Sequence, residues 1–311
     1  MTQSSAQFRI GTRGSPLSAA QTEAVRARLC AVHGLPREAL QIIVIKTSGD
    51  QAGDRRLAEL GGKGLFTKEI EEALLEGRVD LAVHSAKDVP TFLPQGLALA
   101  GFPSRADPRD AFVSARAKSL ATLPIGAVVG TASIRREALL RRLRPDVKTV
   151  LLRGNVGTRL EKALRGEVDA TVLALAGLQR LGLAGQATEI LDPMQFPPAA
   201  AQGAIAIEIR KGDQRTAALV AAIDDADVAT AVKMERAFLA ELDGSCRTPI
   251  AGHAAVANGR VSFYGLVIAP DGSEAVETRR EGPVHDAVRL GADAGKELRA
   301  RAPKGALLNV V

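Results

Sequence analysis

One carboxylate and one ammonium, Asp88 and Lys87, are adjacent shortly after an apolar run from Val79 to Val83. That run, broken only by Asp80, is typical of a buried strand in a parallel sheet. Polar groups just past the carboxyl end of such a strand are where open α/β sheets bind ligands. An acid among cations would stay ionised and could stabilise positive charge on a ligand. An ordinary loop acid that caps a turn or pairs with Lys87 fits the sequence equally well.

Basic side chains elsewhere in the chain occupy positions equivalent to that of Lys87, just after predicted strands. They fall in predicted loops or helix starts that follow strands, at Arg13, Lys63, Arg135, Arg136, Arg153 and Arg159. The planar fork of arginine binds a carboxylate through two parallel hydrogen bonds. Hydroxyls at Ser15, Thr131 and Ser133, beside helix N-terminal N–H groups, would add anion-binding capacity. Any one of these cations could equally be a solvated charge, but six at equivalent edges favour a small molecule that carries carboxylates.

Two further side chains, His84 and Cys246, each have a structural interpretation as well as a chemical one. His84 could act as a base, but a histidine that closes a buried strand is usually a satisfied core residue, and we favour that reading. Cys246 follows Gly244-Ser245 and precedes Arg247, and an adjacent cation lowers a thiol pKa and suits covalent chemistry. Cys30, in the first predicted helix, is expected to be a small buried hydrophobe. With only two cysteines and scattered histidines, we expect no metal site.

Nucleotide and nucleic-acid ligands are not supported by the sequence. Gly62-Lys63-Gly64 is not a P-loop, because Leu57 stands where a glycine is needed and Gly64 where Ser or Thr is needed. No G-x-G-x-x-G opens a helix after a strand. Aromatic residues make up only 3% of the chain, with no Trp and a single Tyr, so stacking platforms for bases are scarce.

Composition is that of a folded protein of two or three domains. The 311 residues are 46% hydrophobic and 24% charged, and the 41 basic and 35 acidic residues give a net charge of +6. No apolar run approaches the length of about 20 residues that spans a bilayer. The polar start of the chain, Met1 to Gln7, predicts no export, and two cysteines far apart in sequence favour a reducing cytoplasm.

The elements that must position these residues form a repeat. Gly77-Arg78-Val79-Asp80 precedes one predicted strand, and Gly166-Glu167-Val168-Asp169 precedes another at Ala170 to Ala174. Gly11-Thr12 and Gly130-Thr131 likewise separate a strand from a helix. Both halves therefore predict strand, helix, strand, helix, strand. The repeat indicates two α/β lobes of one architecture that face each other across a cleft, a common ligand site.

The chain changes character from about Asp227. An amphipathic helix is predicted up to Gly244, and alternating segments then predict strands at Gly252 to Ala257, Val261 to Ile268 and Glu274 to Arg280. A final helix is predicted from about His285 to Arg301. These elements indicate a small third domain with an antiparallel sheet, and Cys246 falls in its first loop.

Taken together, the motifs resemble those of the porphobilinogen deaminase family, also called hydroxymethylbilane synthases. The resemblance runs over nearly the whole chain, through Gly11–Leu17, Gly61–Phe66, His84–Pro90, Pro108–Phe112, Gly130–Arg136, Leu152–Arg159, Ala201–Ala204 and Gly244–Cys246. It implies a transferase that joins four porphobilinogen molecules head to tail, with release of ammonia, to give linear hydroxymethylbilane for the next tetrapyrrole enzyme. It also implies a dipyrromethane cofactor that the enzyme assembles from its own substrate and holds through a thioether to Cys246.

The resemblance assigns roles to individual residues. Asp88 would be the catalytic group, interacting with pyrrole N–H groups and stabilising cationic azafulvene-like intermediates. Acetate and propionate side chains would be bound by Arg13, Lys87, Arg135, Arg136, Arg153 and Arg159. Of these, Arg13, Arg153 and Arg159 would also serve the incoming ring. Supporting contacts would come from Ser15, Lys63, Ser85, Thr131, Ser133 and Gln202, with Phe66 near the reacting ring.

The implied fold is α/β: two lobes like periplasmic binding proteins and a small α+β C-terminal domain with an antiparallel sheet. We expect lobe 1 at residues 1–103 and 204–221, lobe 2 at 108–198, and the C-terminal domain at 226–311. The protein is expected to be a cytoplasmic monomer with no nucleic-acid or membrane partner. A non-enzymatic two-lobe small-anion binding protein is the alternative, although it has no use for Cys246 or for a third domain.

Three positions depart from the family pattern. Glu59 stands where a further lysine is expected, so one anion contact is in doubt. The loop Thr47-Ser48-Gly49-Asp50 stands where Arg-Gly-Asp is common, which puts an arginine contact or salt link there in doubt. Ala199-Ala200-Ala201 replaces a more glycine-rich hinge, and a stiffer connection between the lobes would follow.

Overall fold

The structure is a computed structural model that describes residues 8–51, 64–242 and 248–307. These residues fall into two compact units. Unit 1 comprises residues 8–51, 64–105 and 204–229, and unit 2 comprises residues 106–203, 230–242 and 248–307. Within these ranges, no helix is both long and apolar enough to cross a membrane.

Strands and helices alternate along most of the chain. Up to residue 105 the elements are β1 (Phe8–Arg13), α1 (Pro16–His33), β2 (Leu40–Ile45), α2 (Ser48–Gln51), α3 (Lys68–Leu75), β3 (Leu81–Ser85) and β4 (Leu97–Gly101). Up to residue 203 they are β5 (Asp110–Val113), β6 (Val128–Gly130), α4 (Ile134–Leu143), β7 (Lys148–Val150), α5 (Val156–Leu164), β8 (Ala170–Ala174), α6 (Leu175–Arg180) and β9 (Glu189–Ile190). The remainder holds β10 (Ile205–Arg210), α7 (Gln214–Ala221), α8 (Ala226–Glu241), β11 (Ile250–Ala257), β12 (Arg260–Ile268), β13 (Ala275–Pro283) and α9 (Ala287–Arg301).

Unit 1 is built on a mixed five-stranded sheet in the order β2-β1-β3-β10-β4. Strand β1 pairs in parallel with β2 and β3, whereas β10 runs antiparallel to both of its neighbours. Leu81 and Val83 of β3 belong to a core shared with α1, and Ala82 belongs to a core shared with α3. The sheet is therefore covered on both faces, as expected for an α/β fold, although β3 is parallel only to β1.

The strand predicted from Val79 to Val83 runs instead from Leu81 to Ser85. Pairing with β10 extends it, because His84 and Ser85 lie opposite residues of that strand. These two polar residues therefore belong to the end of the strand itself. The turn that carries the candidate acid begins at Ala86.

Helix α1 begins and ends where its sequence predicts. The Ser15 hydroxyl accepts a hydrogen bond from the Ser18 N–H at 3.2 Å, and Pro16 occupies the first turn. Gly34 terminates the helix with φ = 62°, a conformation that glycine adopts without the steric cost of a Cβ. Thr67 occupies the N-cap position of α3, but its side chain makes no capping hydrogen bond there.

The first sheet of unit 2 confirms the predicted repeat. Its order is β7-β6-β8-β5-β9, with β6 parallel to β7 and β8, and β5 antiparallel to β8 and β9. Each strand thus has a counterpart in the sheet of unit 1 with the same direction of pairing. The carboxyl ends of β1 and β3 correspond to those of β6 and β8.

The final sheet, β11-β12-β13, is antiparallel, as predicted. One face packs on α8 and α9, where Phe238 and Phe263 meet edge to face with ring centroids 4.9 Å apart. Its other face contributes Leu266 and Ile268 to the core around α4. Helix α9 begins at Ala287, two residues later than the predicted start.

Candidate active site

Asp88 lies in a 3₁₀ turn, Ala86–Asp88, directly after β3. The turn is fixed by its backbone, because the Ala86 N–H donates to the Ala204 carbonyl at 3.0 Å and the Val89 N–H donates to the Ala86 carbonyl at 3.4 Å. Both Lys87 and Asp88 are half-buried. The structure therefore holds the predicted carboxylate at the carboxyl end of a core strand with part of its surface accessible.

Ser85 precedes this turn and is anchored to α1. Its hydroxyl exchanges hydrogen bonds with the side-chain amide of Gln21, with Oγ at 2.9 Å from Nε2 and 3.1 Å from Oε1. Gln21 is almost fully buried. The contact ties the end of β3 to the first helix.

Arg13 ends β1 with its guanidinium on the face of Phe66. The guanidinium carbon lies 4.1 Å from the ring centroid, within the range of a cation–π contact. The same guanidinium forms an ion pair with Asp50. Burial raises the pKa of Asp50, but hydrogen bonds from Arg13 and Thr47 outweigh that effect and leave this pKa below its ordinary value. Two predicted site residues, Arg13 and Phe66, are thus in contact within unit 1.

His84 is a core residue, as favoured from the sequence. Its side chain is buried, and Nε2 lies 3.1 Å from Oε2 of the fully buried Glu208 on β10. Glu71 of α3 is also buried, and burial raises the pKa of its carboxyl, as does the negative charge of Glu208. These ionisable groups lie inside unit 1 on the α3 side of the sheet.

Arg135 and Arg136, in the first turn of α4, share one buried carboxylate. Nη2 of Arg135 and Nη2 of Arg136 each donate to Asp110 at 2.8 Å. Burial alone would raise the pKa of Asp110, but the two positive charges hold it far below its usual range. Nη1 of Arg135 donates to the Pro197 carbonyl at 2.6 Å, and Nη1 of Arg136 to the Val172 carbonyl at 3.0 Å.

This cluster fits a ligand that carries acid groups. Its two guanidinium groups against one carboxylate give a net positive charge. The Nε atoms of Arg135 and Arg136 are buried and, within the described structure, have no hydrogen-bond partner. Gln202 joins the same cluster, because its Nε2 donates to Asp110 at 2.8 Å and to the Pro108 carbonyl at 2.7 Å. The dipyrromethane that the family resemblance implies, with its acetate and propionate groups, would suit such a donor set.

Thr131 and Ser133 organise the start of α4. Ser133 is the N-cap and accepts from the Arg136 N–H at 3.4 Å, while the Thr131 hydroxyl accepts from the Ser133 N–H at 3.2 Å. Both hydroxyls are thereby used locally. Their position beside the first turn of α4 is the one predicted from the sequence.

Arg153 and Arg159 lie near the start of α5, and both are half-buried. Asn155 caps this helix through the Thr158 N–H at 2.9 Å. Nε of Arg159 donates to the Gly154 carbonyl at 2.7 Å, which fixes the base of its guanidinium. The predicted anion-binding residues of unit 2 therefore cluster around the starts of α4 and α5.

Two predicted site residues, Lys63 and Cys246, lie outside the described residues, as does the departure at Glu59. Cys30 is half-buried against the core of unit 1, and its Sγ lies 3.9 Å from the Pro36 carbonyl oxygen. Within the described ranges, no group of three or more His, Cys, Asp or Glu residues could hold a metal ion.

Two acids that engage predicted site residues, Asp50 and Asp110, were not predicted from the sequence. Asp110 opens the buried strand β5, where a carboxylate needs a cationic partner. Asp50 lies in the short helix α2, in a segment that departs from the family pattern at Ser48. The signal for Asp110 was an acid at the start of a buried strand, and the signal for Asp50 was an acid shortly after a strand.

Sequence comparisons match most of the chain to one family. Residues 8–218 match the profile described as porphobilinogen deaminase, dipyromethane cofactor binding domain, and residues 229–300 match the porphobilinogen deaminase C-terminal domain. A porphobilinogen deaminase from Nitrobacter hamburgensis is 58% identical over 293 residues, which cover 94% of this chain and 93% of the relative. One from Nitrobacter winogradskyi is 59% identical over the same coverage.

Among solved structures, similar chains include bacterial substrate-binding proteins. The methionine binding protein MetQ is 16% identical and covers 70% of this chain and 87% of its own, with a TM-score of 0.43. A periplasmic substrate-binding protein of an ABC transporter from Coxiella burnetii is also 16% identical, covers 70% of this chain and 91% of its own, and has a TM-score of 0.43.

Proposed function

The chain belongs to the porphobilinogen deaminase family, and from that premise we propose which of its residues carry out the family's reaction. Members are hydroxymethylbilane synthases, transferases of tetrapyrrole biosynthesis that join four porphobilinogen molecules with release of ammonia. The cofactor is dipyrromethane. The alternative of a non-enzymatic anion-binding protein is not favoured, because the C-terminal domain of the enzyme family matches as well.

Asp88 stabilises the positive charge that develops on the substrate pyrrole as ammonia leaves. The observation that carries this proposal is the half-buried carboxylate in the backbone-anchored turn after β3. At an effective dielectric near 20, opposite charges about 4 Å apart interact by roughly 4 kcal/mol. If that charge appears only in the transition state, the interaction is equivalent to about three powers of ten in rate.

Carboxylates of the substrate and of the growing chain are bound by cationic side chains. We assign this role to Arg13, Lys87, Arg135, Arg136, Arg153 and Arg159, with a supporting contact from Lys63. Ser15, Ser85, Thr131, Ser133 and Gln202 fix the local backbone or the guanidiniums, and Phe66 provides an apolar surface near the reacting ring. Support comes from the net positive charge around Asp110 and from the contact of Arg13 with Phe66.

Cys246 holds the dipyrromethane through a thioether in this proposal. The group supplies, when bound, the fixed pyrrole end to which the first substrate unit is joined. The buried N–H donors of Arg135 and Arg136 would hold its acid groups. The enzyme works as a cytoplasmic monomer and releases hydroxymethylbilane to the next tetrapyrrole enzyme. Size-exclusion chromatography at several protein concentrations tests whether the protein is monomeric.

Product stoichiometry tests the reaction itself. Purified protein incubated with porphobilinogen should release four ammonia molecules for each hydroxymethylbilane formed. Porphobilinogen that binds without release of ammonia would support the anion-binding alternative instead.

A further inference from the structure

Asp50 makes side-on contact with Arg13. Its Oδ1 accepts from Nη2 of Arg13, and its Oδ2 lies 3.4 Å from Nε of the same guanidinium. The carboxylate is itself fixed, because the Thr47 hydroxyl donates to Oδ2 at 2.8 Å. One carboxylate therefore engages the Nε–Nη2 edge of Arg13 and leaves the Nη1–Nη2 edge outside the pair.

The segment that carries Asp50, residues 47–50, packs against Phe66. A Cβ on Gly49 would lie 2.3 Å from two ring atoms of Phe66 and 2.7 Å from the Leu65 carbonyl oxygen. The Gly49 N–H donates to that same carbonyl at 2.8 Å, and the Ser48 N–H donates to Glu69 at 2.9 Å. The segment 47–50, the ring of Phe66 and the guanidinium of Arg13 are thus packed against one another.

We propose that Asp50 is a positioning residue for substrate recognition, which holds Arg13 flat on Phe66 so that its Nη1–Nη2 edge grips a carboxylate arm of porphobilinogen. This inference rests on the proposed role of Arg13 in binding the substrate. The planar guanidinium has two edges suited to two oxygen acceptors, so one carboxylate can orient the group while another is bound.

The contacts favour positioning over competition between Asp50 and the substrate. A competing carboxylate would have to leave Arg13 when substrate binds. Asp50 is held by Thr47, three residues before it, and the segment 47–50 is in turn held by Phe66 and Glu69. The carboxylate also stays ionised over the working range, since its pKa lies below the ordinary value.

The test compares porphobilinogen with two analogues, one with methyl in place of the acetate arm and one with ethyl in place of the propionate arm. Kinetics are measured for wild type, Asp50→Asn and Arg13→Gln, with Glu23→Gln as a control that breaks an ion pair on α1. For Asp50→Asn we expect KM for porphobilinogen to rise about tenfold and kcat to stay within about twofold. In wild type, removing the arm that Arg13 binds should raise KM, and we call this increase the arm penalty. The arm penalty for one of the two analogues should be about tenfold smaller in Asp50→Asn than in wild type, and it should also be smaller in Arg13→Gln.

Three outcomes would overturn the inference. An unchanged arm penalty in Asp50→Asn, with a reduced one in Arg13→Gln, would show that Arg13 binds substrate without help from Asp50. A lower KM in Asp50→Asn would show competition. An unchanged penalty in Arg13→Gln would instead reject the role proposed for Arg13, on which the inference rests. If Asp50→Asn is poorly folded by its melting temperature, Thr47→Val should give a smaller change in the same direction, and no change would equally reject positioning.

Discussion

Nη2 of Arg135 donates to the carboxylate of Asp110 at 2.8 Å, and both side chains are buried. Arg136 makes an equivalent bond to the other carboxylate oxygen. An ion cluster of this kind is costly to break at one member, because the remaining charges stay buried without compensation. It therefore links the stability of unit 2 to the residues proposed to bind acid groups.

Asp110→Asn should lower the free energy of unfolding by about 3–5 kcal/mol at pH 7. The pKa of Asp110 is depressed in the folded state, so its contribution is present above the unfolded value of about 3.9 and is lost as pH falls further. Urea unfolding at pH 7 and at pH 3 measures the difference, which should shrink at the lower pH. Asp107→Asn, which breaks a more exposed pair with Arg109, should cost about 1 kcal/mol or less, and equal costs for the two variants would contradict this account.

Asp88→Asn should lower kcat by about three powers of ten while leaving the melting temperature unchanged. The reason is that the amide cannot stabilise a cation, whereas the turn that carries it is held by backbone bonds. Asp88→Glu, which keeps the charge, should retain more activity. Steady-state formation of hydroxymethylbilane measures the effect, and a loss of less than tenfold in Asp88→Asn would reject the electrostatic role.

Glu71→Gln should stabilise the protein at alkaline pH by about 1 kcal/mol. Burial raises the pKa of Glu71, so the ionised carboxylate costs stability as pH rises through that value, and glutamine carries no such charge. Below pH 4 the two proteins should unfold alike. Glu72→Gln on the exposed face of the same helix is the control, and thermal unfolding between about pH 3 and pH 9 is the measurement. A pH-independent difference would contradict the assignment.

Gly49→Ala should reduce kcat/KM about tenfold or more. The added Cβ would lie 2.3 Å from the ring of Phe66, so the ring must move and Arg13 must lose part of its contact. At Gly185 a Cβ meets nothing within 4 Å, which makes Gly185→Ala the matched control. Steady-state kinetics of both variants measure kcat/KM and test this prediction. Equal activity of the two would show that the contact of Arg13 with Phe66 does not matter for turnover.

The features that could be predicted from the sequence are local or repeated ones. The start of α1 follows from Ser15 and Pro16, and its end from Gly34, because capping depends on neighbours in sequence. The paired sheets follow from the matching segments at Gly77 and Gly166. In each case a few adjacent residues carry the information.

Side-chain partnerships across the chain could not be predicted in the same way. Asp110 lies 25 residues from Arg135, and Asp50 lies 37 residues from Arg13, so only the fold brings them together. The end of β3 lies two residues beyond the end of the apolar run that predicts it, for the same reason. Its last residues look polar, but pairing with β10, more than 100 residues later, keeps them in the sheet.

The intact mass of the purified protein tests the central claim, growth of a pyrrole chain on a primer attached to Cys246. Wild type and Cys30→Ser should each be heavier than their sequences by two pyrrole units and should colour with Ehrlich's reagent. Cys246→Ser should have the mass of its sequence alone. A wild-type mass equal to that of the sequence, or an extra mass that persists in Cys246→Ser, would contradict the account.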